Sequence, residues 1–285
     1  MNGTERAGGP SGDAPADGVD AGDGSGSADA PADGAGAARD AAEPSLTSRS
    51  IRTFVIRNGR LTGAQGEALE RLLPRWGIDH DAVRRASPEG GVAALFPHPD
   101  RPLRVEVGFG NGDALLAMAE AEPGVNFLGI EVHAPGVGHA LLGLEARERA
   151  GAPLGNVRVC RHDAIEVLER LCAPGSVDRV HVFFPDPWVK KRHHKRRILQ
   201  GDFLDAAARA LAPGGLLHAA TDVVEYADWM LEKTGADARF RNVSPDGRFV
   251  ARPHWRPSTR FERRGERLGH EVRDLLLERG RTDPA

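Results

Sequence analysis

The chain has 285 residues, with 38 Lys and Arg against 41 Asp and Glu, 11 His and 2 Cys. Cys160 and Cys172 are too few and too widely spaced for a disulfide framework, a redox pair or a zinc site, and read as small buried hydrophobes. No window of about 18 uncharged apolar residues occurs and the start lacks the basic-then-apolar pattern of a secretory signal, so a soluble cytoplasmic protein is expected.

The net charge of −3 joins two unlike pieces. Residues 1–45 hold nine acidic residues and two basic ones, a net of −7, and their only bulky apolar residues are Met1 and Val19. Such an acidic Gly/Ala/Asp-rich segment cannot bury enough apolar surface to offset its ordering entropy, so disorder is expected there. Residues 46–285 keep 36 basic and 32 acidic residues, a net of +4, and read as a single domain: an N-terminal extension over 46–102 and a core with C-terminal substrate elements over 103–285.

Arg52 to Arg60 is short, basic and extended in pattern. Thr62 opens T-G-A-Q, a capping-box spacing, ahead of an apolar-periodic run through Leu69, Leu72 and Leu73 that Pro74 and Gly77 are predicted to stop. Residues 86–102 read as a Gly/Pro-rich loop. From Leu103, β-rich runs at 103–110, 125–131, 156–163, 178–186 and 214–222 alternate with helical patterns at 114–122, 137–149, 165–171, 197–211 and 224–233. That alternation predicts an α/β fold: a doubly wound, mostly parallel, Rossmann-like sheet with helices on both faces. A short run at 238–244, the basic S-T-R-F-E-R-R-G-E-R stretch and a closing helix around Leu268 to Glu278 complete the prediction.

Ligands of open α/β sheets bind at the carboxyl ends of the strands. After the first run come Gly108, Gly110 and Gly112 in a G-x-G-x-G spacing, with Asp113 where a dinucleotide-binding turn would have its third glycine. A tight turn uses glycine for its own sake, so the turn alone says little. Glu131 ends the second run, where a carboxylate accepts from two ribose hydroxyls, and Asp163 ends the third, where one receives an adenine amino group. Either alone is more often a helix N-cap or a solvated loop charge. In series, and without a P-loop lysine, they favour a nucleoside carrying positive or no charge, and S-adenosylmethionine fits.

Phe183-Phe184-Pro185-Asp186-Pro187-Trp188 follows, with Asp186 held between two prolines and aromatics beside it, a setting for a flat, hydrogen-bonding nucleobase. Lys190 to Arg197 then places six basic residues and two histidines in eight positions. The bland reading of such a run is a solvated helix face; beside a base pocket it reads as a grip on RNA phosphates. His193 and His194 lack Cys or carboxylates at ligand spacing, so no metal site is expected.

Over Arg52 to Glu278 the chain resembles the bacterial tRNA (guanine-N7)-methyltransferases, which act on the guanine at position 46 of the variable loop. The resemblance rests on FVIRNGRLTGAQ, VEVGFGNGD, GIEVHAPGVG, HDA at 162–164, FFPDPWVKKRHHKRR, ATD at 220–222 and TRFE at 259–262. The PDPW-x-KKRH-x-KRR and TRFE strings carry most of its specificity. It implies that Glu106, Glu131, Asp163 and Asp186 contact S-adenosylmethionine, with Asp186 also the catalytic position. Lys190, Asp222, Thr259, Arg260, Phe261 and Glu262 are implied as substrate contacts, and Arg192, His193, His194, Lys195, Arg196 and Arg197 as the RNA-binding run. The expected partner is tRNA, with no membrane or DNA partner, for a monomer or homodimer. The acidic tail departs from the family pattern.

Two alternatives remain at this stage. Exocyclic-amine methyltransferases place [DN]-P-P-[FY] at the fourth strand, which Pro185-Asp186-Pro187-Trp188 does not match. A non-catalytic RNA-binding module with a degenerate cofactor fold would not need the intact glycines and carboxylates. Asp113 and the basic run disfavour a nicotinamide-dependent oxidoreductase.

Overall fold

The computed structural model describes residues 52–54, 60–78, 91–258, 262, 269 and 271–281. The tail at 1–45, most of the Arg52 to Arg60 run, and Thr259, Arg260 and Phe261 lie outside the described residues.

Helix α1 (Gly63–Trp76) starts as T-G-A-Q predicts. Thr62 Oγ1 accepts from the Gln65 N–H at 3.2 Å and Gln65 Oε1 accepts from the Thr62 N–H at 3.0 Å, satisfying two donors reciprocally. Gly77 ends the helix, but Pro74 lies inside it, against the expectation that it would stop the run. So close to the end, the missing proline N–H forfeits a single intrahelical bond, and packing of the buried Trp76 outweighs it.

The strands are β1 (Gly77–Ile78), β2 (Leu103–Val107), β3 (Asn126–Ile130), β4 (Val157–Cys160), β5 (Val177–Phe183), β6 (Leu211–Thr221), β7 (Phe240–Asn242) and β8 (Arg273–Arg279). They form one sheet in the order β1-β4-β3-β2-β5-β6-β8-β7. Pairings from β1 through β6 are parallel, and β8 runs antiparallel to both β6 and β7. Helices α2 (Asp113–Ala121), α3 (Ala134–Arg149), α4 (Ala164–Arg170), α5 (Gly201–Ala210) and α6 (Val224–Gly235) connect them. The chain leaves β2 toward β3 and later returns to β5 on the other side of β2, so the strand order reverses there and opens a crevice at the carboxyl ends.

Both faces are covered, as the strand-helix alternation predicts. On one face Val105, Leu128, Val180, Leu217 and Leu277, side by side in register, pack with Leu168, Phe203 and Tyr226 of α4, α5 and α6. The other face packs Phe127, Val157 and Val159 against Leu72, Leu115 and Leu141 of α1, α2 and α3. Outside this layer α1 and α3 are joined by Arg71 to Glu145 at 2.6 Å and by Arg75 to Glu148.

The closing helix expected around Leu268 to Glu278 is a correction: 273–279 is strand β8. Asp274 to Leu277 are all buried, flanked by β6 and β7. A continuous apolar run carries no period to separate helix from doubly buried strand, and pairing across the sheet decides it. No described helix is long and apolar enough to cross a membrane.

Candidate active site

A cleft of about 820 Å³ opens at the carboxyl ends of β2, β3 and β5. Its wall includes Glu106, Gly108, Gly110, Glu131, Phe184 and Asp186, all on segments singled out in the sequence. Gly108, Gly110 and Gly112 have φ of 70°, 59° and 83°, left-handed values that strain any residue with a Cβ. The three differ in role. Gly112, expected as a cofactor contact, is buried, and a Cβ there would stand 2.7 Å from the Ala140 Cβ of α3. It lets α2 start tightly against α3 and is not part of the cleft wall.

Glu131 organises the turn. Its Oε2 accepts from the Gly110 N–H at 2.9 Å, and its Oε1 accepts from the N–H groups of Val132 at 2.7 Å and His133 at 2.9 Å. Burial raises its pKa, and the three N–H donors act against that rise. Glu106, next to last in β2, is buried, and burial, then the nearby Glu131 charge, pushes its carboxyl up to about 8. Asp163 caps α4 through the Ile165 N–H at 2.8 Å, as the N-cap reading holds, and lies between His162 and Ala164 of the cleft wall. Glu106 Oε2 and Asp163 Oδ2 are buried without a hydrogen-bond partner among the described residues. Buried acceptors left unpaired at a cleft are costly unless a ligand or water serves them. These carboxylate oxygens fit a ligand bearing hydroxyl, amino and cationic groups, which S-adenosylmethionine has.

The tip after β5 is held by more than its prolines. Phe184 and Trp188 both sit at positive φ, 52° and 45°, a strain of about 1–3 kcal/mol each that the surroundings must enforce. Phe184 N–H donates to Ala220 O at 2.8 Å, and Pro187 O accepts from Arg197 Nε at 2.8 Å. Between these anchors Asp186 is exposed at the cleft.

Arg197 is therefore a correction to the RNA-binding run. It is fully buried, bonds Glu225 through Nη1 at 3.1 Å and Nη2 at 2.6 Å, and lies 5.0 Å from the rings of both Tyr226 and Trp229. Such a side chain cannot reach a phosphate. The rest of the run forms a 3-10 turn over Lys191–Arg196, with Lys190, Lys191, Arg192 and Lys195 exposed. Arg196 sits over the Trp188 ring at 5.4 Å, and His194 Nε2 faces Arg197 Nη2 at 3.0 Å. His193 packs edge-on to Trp188, and burial followed by the cations around it lowers its pKa.

Glu262, expected at the substrate, is buried, and Arg256 engages both its oxygens at 2.8 Å; it lines a second cavity together with Arg252, Arg256 and Asp274. Asp222 follows β6 and is half-buried. Asp186 and Asp113 are the exposed carboxylates on the cleft wall.

Thr53, Phe54, His181 and His218 are not among the site residues expected from the sequence. Thr53 and Phe54 line the cleft, though they lie about 130 residues before Asp186 in the sequence. Glu106, His181 and His218 are neighbours in register across β2, β5 and β6 and so share a face. Alternating polar and apolar residues in what read as fully buried strands were the available clue.

A crevice at the reversal of a parallel sheet, a glycine turn latched by a carboxylate, and acidic strand ends define a nucleoside-cofactor site of the Rossmann-like methyltransferases. A family model described as putative methyltransferase matches residues 100–275. The chain is 50% identical over 239 residues to the tRNA (guanine-N(7)-)-methyltransferase of Halorhodospira halophila, covering 83% of this chain and 98% of that protein. Identity to the proteins of that name is 49% for Methylococcus capsulatus, over 81% and 95% of the two chains, and 48% for Pseudomonas aeruginosa, over 85% and 94%. The chain belongs to the tRNA (guanine-N7)-methyltransferase family.

Proposed function

We propose that this enzyme transfers the methyl group of S-adenosylmethionine to N7 of a guanine in tRNA, the one at position 46 of the variable loop. The observation that carries the reading is the placement of Asp186: an exposed carboxylate on a strained, doubly anchored tip, facing a cleft whose buried acidic oxygens await a nucleoside. The proposed setting is the cytoplasm, with tRNA as the partner, no membrane or DNA partner, and a monomer or homodimer as the working form.

When bound, S-adenosylmethionine supplies an electrophilic methyl carbon on a sulfonium. The methyl group would pass to the guanine N7 lone pair, with the S–C electron pair staying on sulfur. N7 carries no proton, so no general base is needed. The product base is cationic, so the protein's task is in-line placement with a negative charge nearby. Asp186 accepts from guanine N1–H and the 2-amino group, orienting N7 while its charge favours the base as it turns positive. Glu131 and Asp163 receive the ribose hydroxyls and adenine amino group, and Glu106 lies behind them. Lys190, Lys191, Arg192 and Lys195 meet phosphates, which gives affinity and register but not base choice.

The test is incubation with methyl-labelled cofactor and a tRNA transcript bearing guanine in the variable loop. Label is expected as 7-methylguanine and should vanish when that guanine is replaced. Label on an exocyclic amine would reject the reading.

A further inference from the structure

Beside the cleft lies a buried ion network. Arg256 is fully buried and donates through Nε and Nη2 to Asp274 of β8 at 2.6 and 3.0 Å, and through Nη1 and Nη2 to Glu262 at 2.8 Å each. His218 Nε2 lies 2.8 Å from Asp274 Oδ1, and Trp255 Nε1–H points to His218 Nδ1 at 3.4 Å. An ionised Asp274 places the His218 proton on Nε2 and leaves Nδ1 to accept from the indole. Both contacts suit the neutral ring, and burial lowers its pKa in the same sense. One guanidinium thus faces two carboxylates, each bidentate, a geometry that lysine cannot copy.

Burying three ionic groups is a poor route to stability, because apolar residues of similar volume do as well or better. What the network holds is more telling. The Arg256 guanidinium carbon is 5.9 Å from the rings of both Phe183 and Phe184, where the strand tip carrying Asp186 begins. Arg256 and Glu262 are also six residues apart, and their pairing ties Glu262 to β8 through Asp274.

We infer that Arg256 is a positioning residue for methyl transfer, fixing Glu262 and the Phe183–Asp186 tip against β8 so that Asp186 meets the guanine in one geometry. The inference rests on the guanine-methylating activity proposed above.

The experiment compares wild type, Arg256→Lys, Glu262→Gln and the double variant. kcat and KM for tRNA are counted per molecule competent to bind S-adenosylmethionine, titrated by calorimetry. Each single change is expected to lower kcat/KM for tRNA by about tenfold or more, with cofactor Kd within about twofold of wild type. The double variant should lose no more than the worse single one, because both changes break one clamp. A role confined to folding would lower the competent fraction and leave kcat/KM per competent molecule unchanged. That result, additive losses, or a matching loss of cofactor binding would each overturn the inference. If Arg256→Lys does not fold, Asp274→Asn, which keeps shape and one acceptor, is read by the same criteria. An inactive wild type rejects the proposed activity and this inference together; an active wild type with indifferent variants rejects the inference alone.

Discussion

The Gly110 N–H donates to Glu131 Oε2 at 2.9 Å, so the turn after β2 and the end of β3 form one hydrogen-bonded unit across the reversal of the sheet. The same carboxylate gathers the Val132 and His133 N–H groups. The shape of the cofactor turn therefore depends on a residue 21 positions away.

Glu131→Ala would leave three N–H donors without their acceptor and remove the proposed ribose contact. S-adenosylmethionine affinity should fall by about tenfold or more, since bonds to a charged acceptor are worth about 1.5–3 kcal/mol. Calorimetric titration checks it, and a Kd within twofold of wild type counts against the latch.

Glu106 sets a pH dependence. Its pKa rises from 4.5 in the unfolded chain to about 8 in the folded protein, so the folded state binds the extra proton between those values. Its contribution to stability is full below 4.5 and is lost as pH climbs toward 8. In Glu106→Gln the fall of melting temperature between pH 5 and 8 should become shallower. A cationic ligand favours the ionised carboxyl, so wild type at pH 7 should release up to about one proton on binding S-adenosylmethionine, read from titrations in buffers of different ionisation heat. Equal proton release by the Gln variant would assign that proton elsewhere.

The basic run divides by burial. Replacing Lys190, Lys191, Arg192 and Lys195 with Ala should leave the melting temperature in place and flatten the salt dependence of tRNA binding, by a slope of about 0.7–0.9 for each phosphate no longer neutralised. Arg197→Ala should do the reverse first, costing about 2–4 kcal/mol through weakened packing on Tyr226 and Trp229 and a released Pro187 carbonyl. Thermal melts beside binding at two salt concentrations separate the two. A stable Arg197→Ala protein with a flattened slope would return Arg197 to the RNA.

The glycines of the turn divide as well. Gly112→Ala adds a Cβ 2.7 Å from Ala140 on top of a φ of 83°, and should cost about 2–3 kcal/mol, measured by denaturant unfolding. Gly110→Ala has open space for its Cβ and should cost only about 1 kcal/mol of backbone strain. Equal losses would contradict the packing role of Gly112.

Asp186→Asn keeps the size and bonding shape of the side chain but removes its charge. kcat should fall by about a hundredfold or more, while cofactor Kd stays within a few-fold, as expected for an interaction that strengthens as the base turns cationic. Turnover within a few-fold of wild type would remove Asp186 from that role.

Much of the sheet was legible in the sequence because its signals are local. Thr62 and Gln65 are three residues apart, and their capping box needs only those two side chains. The runs ending near Glu106, Glu131 and Asp163 alternate with helical patterns, which is enough to order a parallel sheet and point its acidic ends at one crevice. β8 was misread because three consecutive leucines have no period, and its partners β6 and β7 lie more than 30 residues earlier in the chain.

Composition and motif thus determined the class of fold, the cofactor turn, the acidic strand ends and the basic run, since each is set by residue type at short spacing. Tertiary structure alone decided which members of those motifs are exposed and which are buried and paired. Arg197 and Glu262 carry the charges that a tRNA or base contact would need, yet both are buried and engaged by partners the motif does not contain, Glu225 and Arg256. Charge is a property of the residue, whereas exposure and pairing belong to the packed chain, so a basic or acidic motif names the candidates and packing selects among them.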